Sequence, residues 1–110
     1  MVYLLLTMEL PRNKVKEAWN IYQSKVLKFD KEGVEKVGGK YIGYWYTEYG
    51  KTGEINFMVA YPSLDVRENF IETFWDIQDE ELKKGLAEWA AYVPYATVKV
   101  MRPLPGSPLQ

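Results

Sequence analysis

The chain contains neither cysteine nor histidine. Without cysteine there are no disulfides and no thiolate chemistry, so the redox compartment leaves no mark on the sequence. Without histidine the commonest metal ligand, the usual haem ligand and the commonest general base are missing together. The formal net charge is only −1 and no basic run occurs, which argues against holding nucleic acid by its phosphates. No apolar stretch approaches the length of a bilayer span. The opening MVYLLLTMEL lacks a basic n-region and a small-residue cleavage site, so it reads as a strand and not a signal. These absences lead to the expectation of a cytoplasmic protein with no metal, no cofactor, no nucleic-acid partner and no membrane span.

What the chain has in plenty is aromatic surface, at 15% of residues, within 47% hydrophobic and 26% charged. That balance fits a globular domain, and 110 residues suffice for one core and not two. The densest stretch is Gly39–Tyr61. Lys40–Tyr49 and Glu54–Tyr61 are rich in Tyr, Trp, Ile, Val and Phe and read as two strands. Gly50-Lys51-Thr52-Gly53 between them supplies glycines where the backbone needs positive φ. A loop of those residues would pair Tyr49 with Glu54, Trp45 with Met58 and Gly43 with Ala60 on one face. Tyr46 would pair with Phe57, Tyr44 with Val59 and Ile42 with Tyr61 on the other. Neither face is properly polar: Asn56 is the clear exception on the first and Glu48 on the second. Antiparallel sheets normally keep one wet face. Here one face can take the chain's own helices, and the other, carrying Tyr41, Trp45 and Met58, is expected to take a second copy in a homodimer.

Val2–Glu9 reads as a central strand ahead of Pro11. Asn13 is placed to cap a helix in which Val15, Ala18, Trp19, Tyr22, Val26 and Phe29 recur at helical spacing. Gly33 is expected to kink that helix, and Gly38-Gly39 to end it. Ser63 should cap the next helix, with Phe70, Ile71, Phe74 and Trp75 on its buried side. Gln78-Asp79-Glu80-Glu81 fits the dipole-favoured start of another helix better than a metal site. Leu82, Leu86, Trp89 and Val93 continue a stripe, and Pro94 stops it. Tyr95–Met101 alternates and reads as a final strand. The proline-rich end, residues 102–110, is expected as an extended arm on a single domain of residues 1–110, anchored by Leu104 and Leu109. The order β-α-β-β-α(α)-β favours an α+β, ferredoxin-like fold: a four-stranded antiparallel sheet with helices on one face.

Gly39-Lys40-Tyr41-Ile42-Gly43-Tyr44-Trp45-Tyr46-Thr47-Glu48-Tyr49-Gly50 resembles the second-strand signature of the NIPSNAP family. Phe57-Met58-Val59-Ala60-Tyr61-Pro62-Ser63-Leu64-Asp65 is similar to its third strand and helix start. Met101-Arg102-Pro103-Leu104-Pro105-Gly106-Ser107-Pro108-Leu109 is similar to its Arg-Pro…Ser-Pro-Leu tail. The resemblance implies a dimeric α+β barrel in which two ferredoxin-like sheets meet face to face. It brings no shared catalytic residue set: eukaryotic members are linked with mitochondria and protein partners, and the activity is undefined. Many members carry a His followed two residues later by a Trp in the third strand; here those positions hold Phe57 and Val59.

The wider superfamily that the resemblance implies includes haem-degrading and cofactor-free monooxygenases, so two functions stay open. One is a homodimeric module that binds a lipophilic or aromatic small molecule, or a protein, without catalysis. The other is a cofactor-independent monooxygenase or isomerase acting on an aromatic or lipophilic molecule. The residues expected to line a pocket between helices and sheet are Trp19, Tyr44, Tyr46, Glu48, Phe57, Tyr61, Trp75 and Trp89. Proton transfer, if any, would fall to Glu48 or to the phenols of Tyr44 and Tyr46. No phosphate loop, nucleophile elbow or paired-carboxylate pattern is present.

Overall fold

The apolar run Val2–Glu9 forms β1, the central strand, which pairs with the strands Glu54–Tyr61 and Tyr95–Met101. The computed structural model describes residues 1–50, 53–93 and 95–110. After β1 a 3-10 turn (Arg12–Lys14) leads into α1 (Val15–Lys25) and α2 (Leu27–Lys36). The hairpin β2 (Lys40–Tyr46) and β3 (Glu54–Tyr61) follows, then α3 (Leu64–Glu72), a 3-10 turn (Thr73–Asp76), α4 (Glu80–Tyr92) and β4 (Tyr95–Met101). The sheet order is β2-β3-β1-β4, with antiparallel neighbours throughout. This is the expected ferredoxin-like α+β arrangement.

The core lies between the helices and one sheet face. Leu4, Phe57 and Val59 from the strands meet Tyr22, Val26, Val34, Phe70 and Trp89 from the helices. Each aliphatic or aromatic side chain buried this way contributes about 1.5–3 kcal/mol. Ser63 accepts from the Val66 N–H at 3.2 Å, as its position predicts. Asp79 caps α4 by accepting from Glu81 and Leu82, so the acidic run starts a helix. Asn13 caps nothing: it sits inside the 3-10 turn, and α1 has no side-chain cap. The expected stop at Pro94 falls outside the described residues.

The first helix bends at Val26 (φ −120°, ψ −38°), not at Gly33. Its backbone bonds persist there, from Val26 N–H to Tyr22 O and from Asp30 N–H to Val26 O. Gly33 serves packing instead, because a Cβ there would lie 2.2 Å from Cε1 of Phe70. α4 crosses α1 as closely: a Cβ on Gly85 would stand 2.6 Å from Cβ of Lys25. Tyr92 donates to Glu17 at 2.9 Å and Lys25 pairs with Glu88 at 3.1 Å across the same contact. Because α4 lies on α1, β4 is left uncovered, and Val98 and Val100 on its helix-facing side are 45% and 49% exposed.

The hairpin register differs from expectation by two residues. Tyr44 faces Phe57, Trp45 faces Asn56, Tyr46 faces Ile55 and Gly43 faces Met58. An even shift keeps Tyr44 and Tyr46 on the helix side and Trp45 and Met58 on the reverse. A bulge at Ile42 then sets Tyr41 opposite Val59, which moves Tyr41 to the helix side and removes it from the reverse face. The cause is at the far end, where β2 stops at Tyr46 and β3 begins only after Gly53 has docked on β1. Gly53 (φ +83°) accepts from the Leu10 N–H at 2.9 Å, and a Cβ on it would be 2.4 Å from Leu10 O. Lys51 and Thr52 of the expected turn lie outside the described residues.

The C-terminal arm folds back on the reverse face. Tyr3 Oη donates to the main-chain oxygen of Gln110 at 3.1 Å, and Tyr3, Met58, Met101, Pro103 and Leu109 enclose a small cleft. Leu104 and Leu109, expected as anchors, are both exposed, although Leu109 borders that cleft.

Gly53→Ala combines left-handed backbone with a main-chain clash, so it should cost about 1–3 kcal/mol of stability in urea denaturation. A loss below ~0.5 kcal/mol would show that the loop moves off β1 freely.

Candidate functional site

The end of the hairpin stands over the start of α1, and the gap between them is a groove of about 880 Å³. Val15, Lys16 and Trp19 share one face of α1 at helical spacing, with Arg12 just ahead in the turn. The opposite wall is Tyr44, Tyr46 and Ile55 from the helix-facing side of the sheet, and Trp45, Thr47, Glu48 and Glu54 form the rim. Trp19 and Tyr44 touch at 4.8 Å between centroids, tilted by 41°. Of the eight residues expected to line a pocket, Trp19, Tyr44, Tyr46 and Glu48 meet here. Glu48 is exposed beyond the end of β2.

Phe57, Tyr61 and Trp89 are buried in the core and do not reach the groove. Phe57 backs Trp19 at 6.0 Å and Trp89 packs on Tyr22 at 4.9 Å. Trp75 is 83% exposed and lines nothing. α3 ends at Glu72 and continues as a 3-10 turn, and the tighter winding aims Phe74, not Trp75, at Phe29 and Phe70.

Behind the aromatic wall is a polar cluster that the sequence reading overlooked. Tyr22 Oη donates to Asp30 Oδ2 and lies 2.7 Å from Tyr41 Oη, which is the donor of that contact when Asp30 is ionised. A chain of two phenols thus ends on one carboxylate and ties β2, α1 and α2 together. Burial raises the Asp30 carboxyl above its ordinary range, and the hydroxyls of Tyr22 and Tyr41 oppose that only in part. Burial, then the Asp30 charge, also raises both phenols, and Tyr61 is pushed up to about 12 by burial and then by Asp30. Asp30 was legible: Tyr22, Val26 and Asp30 are spaced i, i+4, i+8, so an acid stood on the apolar stripe. Among the described residues no three His, Cys, Asp or Glu side chains gather as metal ligands.

The reverse face holds Tyr3, Leu5, Trp45 and Met58, with Trp45 lying over Gly43 and 53% exposed. A polar ribbon crosses it. Thr7 donates to Asn56 at 2.9 Å, Asn56 to Thr47 at 3.0 Å, and Thr47 to Glu54 at 2.9 Å.

The NIPSNAP family model matches residues 3–108. The chain belongs to the NIPSNAP family. Among solved structures, a NIPSNAP family protein of unknown function from Agrobacterium tumefaciens is similar at 23% identity and TM-score 0.86, covering 100% of this chain and 94% of that one. An uncharacterized NIPSNAP domain protein from Burkholderia xenovorans is similar at 19% identity and TM-score 0.79, covering 98% and 99%. An antibiotic biosynthesis monooxygenase shares the fold at 15% identity and TM-score 0.60, covering 96% and 100%. Comparison with curated proteins gives no match. Among the described residues of this NIPSNAP chain, no helix is long and apolar enough to cross a membrane.

The Asp30 carboxyl has a folded pKa above its unfolded value of about 3.9. The folded state therefore holds the proton more tightly, and Asp30's contribution is greatest below the unfolded pKa and is lost as pH rises through the folded one. Asp30→Asn keeps an acceptor for Tyr22 and removes the titration. Urea denaturation from about pH 4 to pH 8 should show wild-type stability falling relative to the variant. A difference independent of pH would mean that the carboxyl titrates as it does in the unfolded chain.

Proposed function

We propose that this NIPSNAP chain is a homodimeric, cytoplasmic module that binds a lipophilic or aromatic small molecule in the groove between α1 and the hairpin. The observation that carries the reading is the groove itself: its volume of about 880 Å³ lies within the ~300–1,000 Å³ of small-molecule sites, and Trp19, Tyr44 and Tyr46 supply flat apolar walls. Binding without catalysis is favoured because the groove's own carboxylates are not aimed into it: Glu54 accepts from Thr47, Glu48 stands exposed beyond β2, and the buried Asp30 is absent from the lining. General acid–base chemistry needs a titratable group held in position against the ligand. The second copy is assigned to the reverse face. There Trp45, 53% exposed, would otherwise stay in water, and the side chains of Thr7, Asn56 and Thr47 in the polar ribbon are already hydrogen-bonded, with the Glu54 carboxylate at its end.

One observation favours a second reading, a cofactor-independent isomerase or monooxygenase. A carboxyl with a raised pKa beside two phenols is the equipment for proton transfer, should Trp19 and Tyr44 part to admit a ligand.

A thermal-shift screen of aromatic and lipophilic compounds tests both. Ligand at about 100 times its Kd should add about 2.7 kcal/mol, several degrees for a domain of this size, and Trp19→Ala should abolish the shift. A screen without hits, or hits that Trp19→Ala binds equally, would refute groove binding. Oxygen uptake or isomerisation of a hit, abolished in Asp30→Asn, would establish the second reading over the first.

A further inference from the structure

We propose that the groove selects an aromatic ligand bearing a carboxylate, whose anion is held by Arg12 and Lys16 while its ring lies against Trp19 and Tyr44. This rests on the groove being a binding site and adds the class of molecule it takes. Two cations line the same wall as Trp19, across the groove from the wall that carries Tyr44. Lys16 is three residues ahead of Trp19 on α1, so both side chains leave the same helix face. Arg12 is in the turn against which Gly53 packs, with its backbone N 3.3 Å from where a Cβ on Gly53 would stand. The neighbouring Lys14 is paired with Glu17 at 3.6 Å, whereas neither Arg12 nor Lys16 has an ion-pair partner among the described residues.

The acids that also border the groove do not neutralise that wall. Glu54 accepts a hydrogen bond from the Thr47 hydroxyl at 2.9 Å, and Glu48 stands exposed beyond the end of β2, so both acids are on the hairpin side and neither is ion-paired with Arg12 or Lys16. A neutral aromatic would leave the two cations of the helix wall without an ion-pair partner among the described residues. A carboxylate gives them charge-assisted hydrogen bonds, and a guanidinium fork matches a carboxylate's two oxygens.

The test uses the full chain and two fluorescent probes of one ring system, 8-anilinonaphthalene-1-sulfonate and its uncharged parent N-phenyl-1-naphthylamine. The variants are Arg12→Gln/Lys16→Gln and Trp19→Ala, with circular dichroism to confirm folding. The double variant, altered only at exposed side chains, should bind the sulfonate about tenfold more weakly and the uncharged probe unchanged. Trp19→Ala should weaken both. Unlabelled 2-naphthoate should displace the sulfonate where 2-naphthamide at equal concentration does not. If the double variant loses neither probe, or the amide competes as well as the acid, the anion selection is wrong while groove binding stands. If Trp19→Ala alters neither probe, the groove reading fails and this proposal falls with it.

Discussion

A sheet that has helices on one face and yet is apolar on both is the constraint from which the rest of this structure follows. The helices exhaust themselves on the inner face, where Leu4, Phe57 and Val59 are almost wholly buried. Among the described residues, only the arm that reaches Tyr3 and Met58 at one end lies on the other side, where Trp45 and Leu5 stand. Across that face a run of polar groups, from Thr7 through Asn56 and Thr47 to Glu54, bonds in sequence, while Glu9, Lys40, Thr97 and Lys99 lie on the same side toward its margins. The bonded run can be covered without stranding its hydroxyl and amide donors, whereas Lys40 and Lys99 stand on the outer strands.

Inside, Tyr22 is where the layers meet. Its ring touches Trp19, Phe57 and Trp89, and its hydroxyl joins Tyr41 to Asp30. The bend at Val26 leaves the backbone bonds from Tyr22 to Asp30 intact, so the carboxylate stays one turn beyond the bend and within reach of the phenol. The groove borrows its rigidity from this cluster: Trp19 is stacked on Tyr22 at 5.4 Å and Tyr41 packs edge-on against Tyr44 at 6.2 Å. A wall held from behind in this way is pre-organised for a ligand.

Element order and topology were legible because strand and helix periods are strong along most of the chain. Trp19, Tyr44, Tyr46 and Glu48 could be brought together for the same reason. The hairpin register was not legible: it depends on Gly53 docking against Leu10, a contact distant in sequence, and on a bulge at Ile42. Tyr41 changed faces as a result. Trp75 was misplaced because a helix turning 3-10 looks helical in its apolar spacing. Arg12 and Lys16 carried no signal of their own, since cations at a helix start usually face water. Asp30 did carry one, as a lone acid on an apolar stripe.

Burial of the reverse face by a second copy is tested most directly by sedimentation equilibrium of the wild type and of Trp45→Lys. Sheet-to-sheet pairing predicts a dimer at micromolar concentration for the wild type and association at least tenfold weaker for the variant, since a charge would be placed in an apolar contact. A wild type that stays monomeric at micromolar concentration, or a variant with an unchanged association constant, would contradict it.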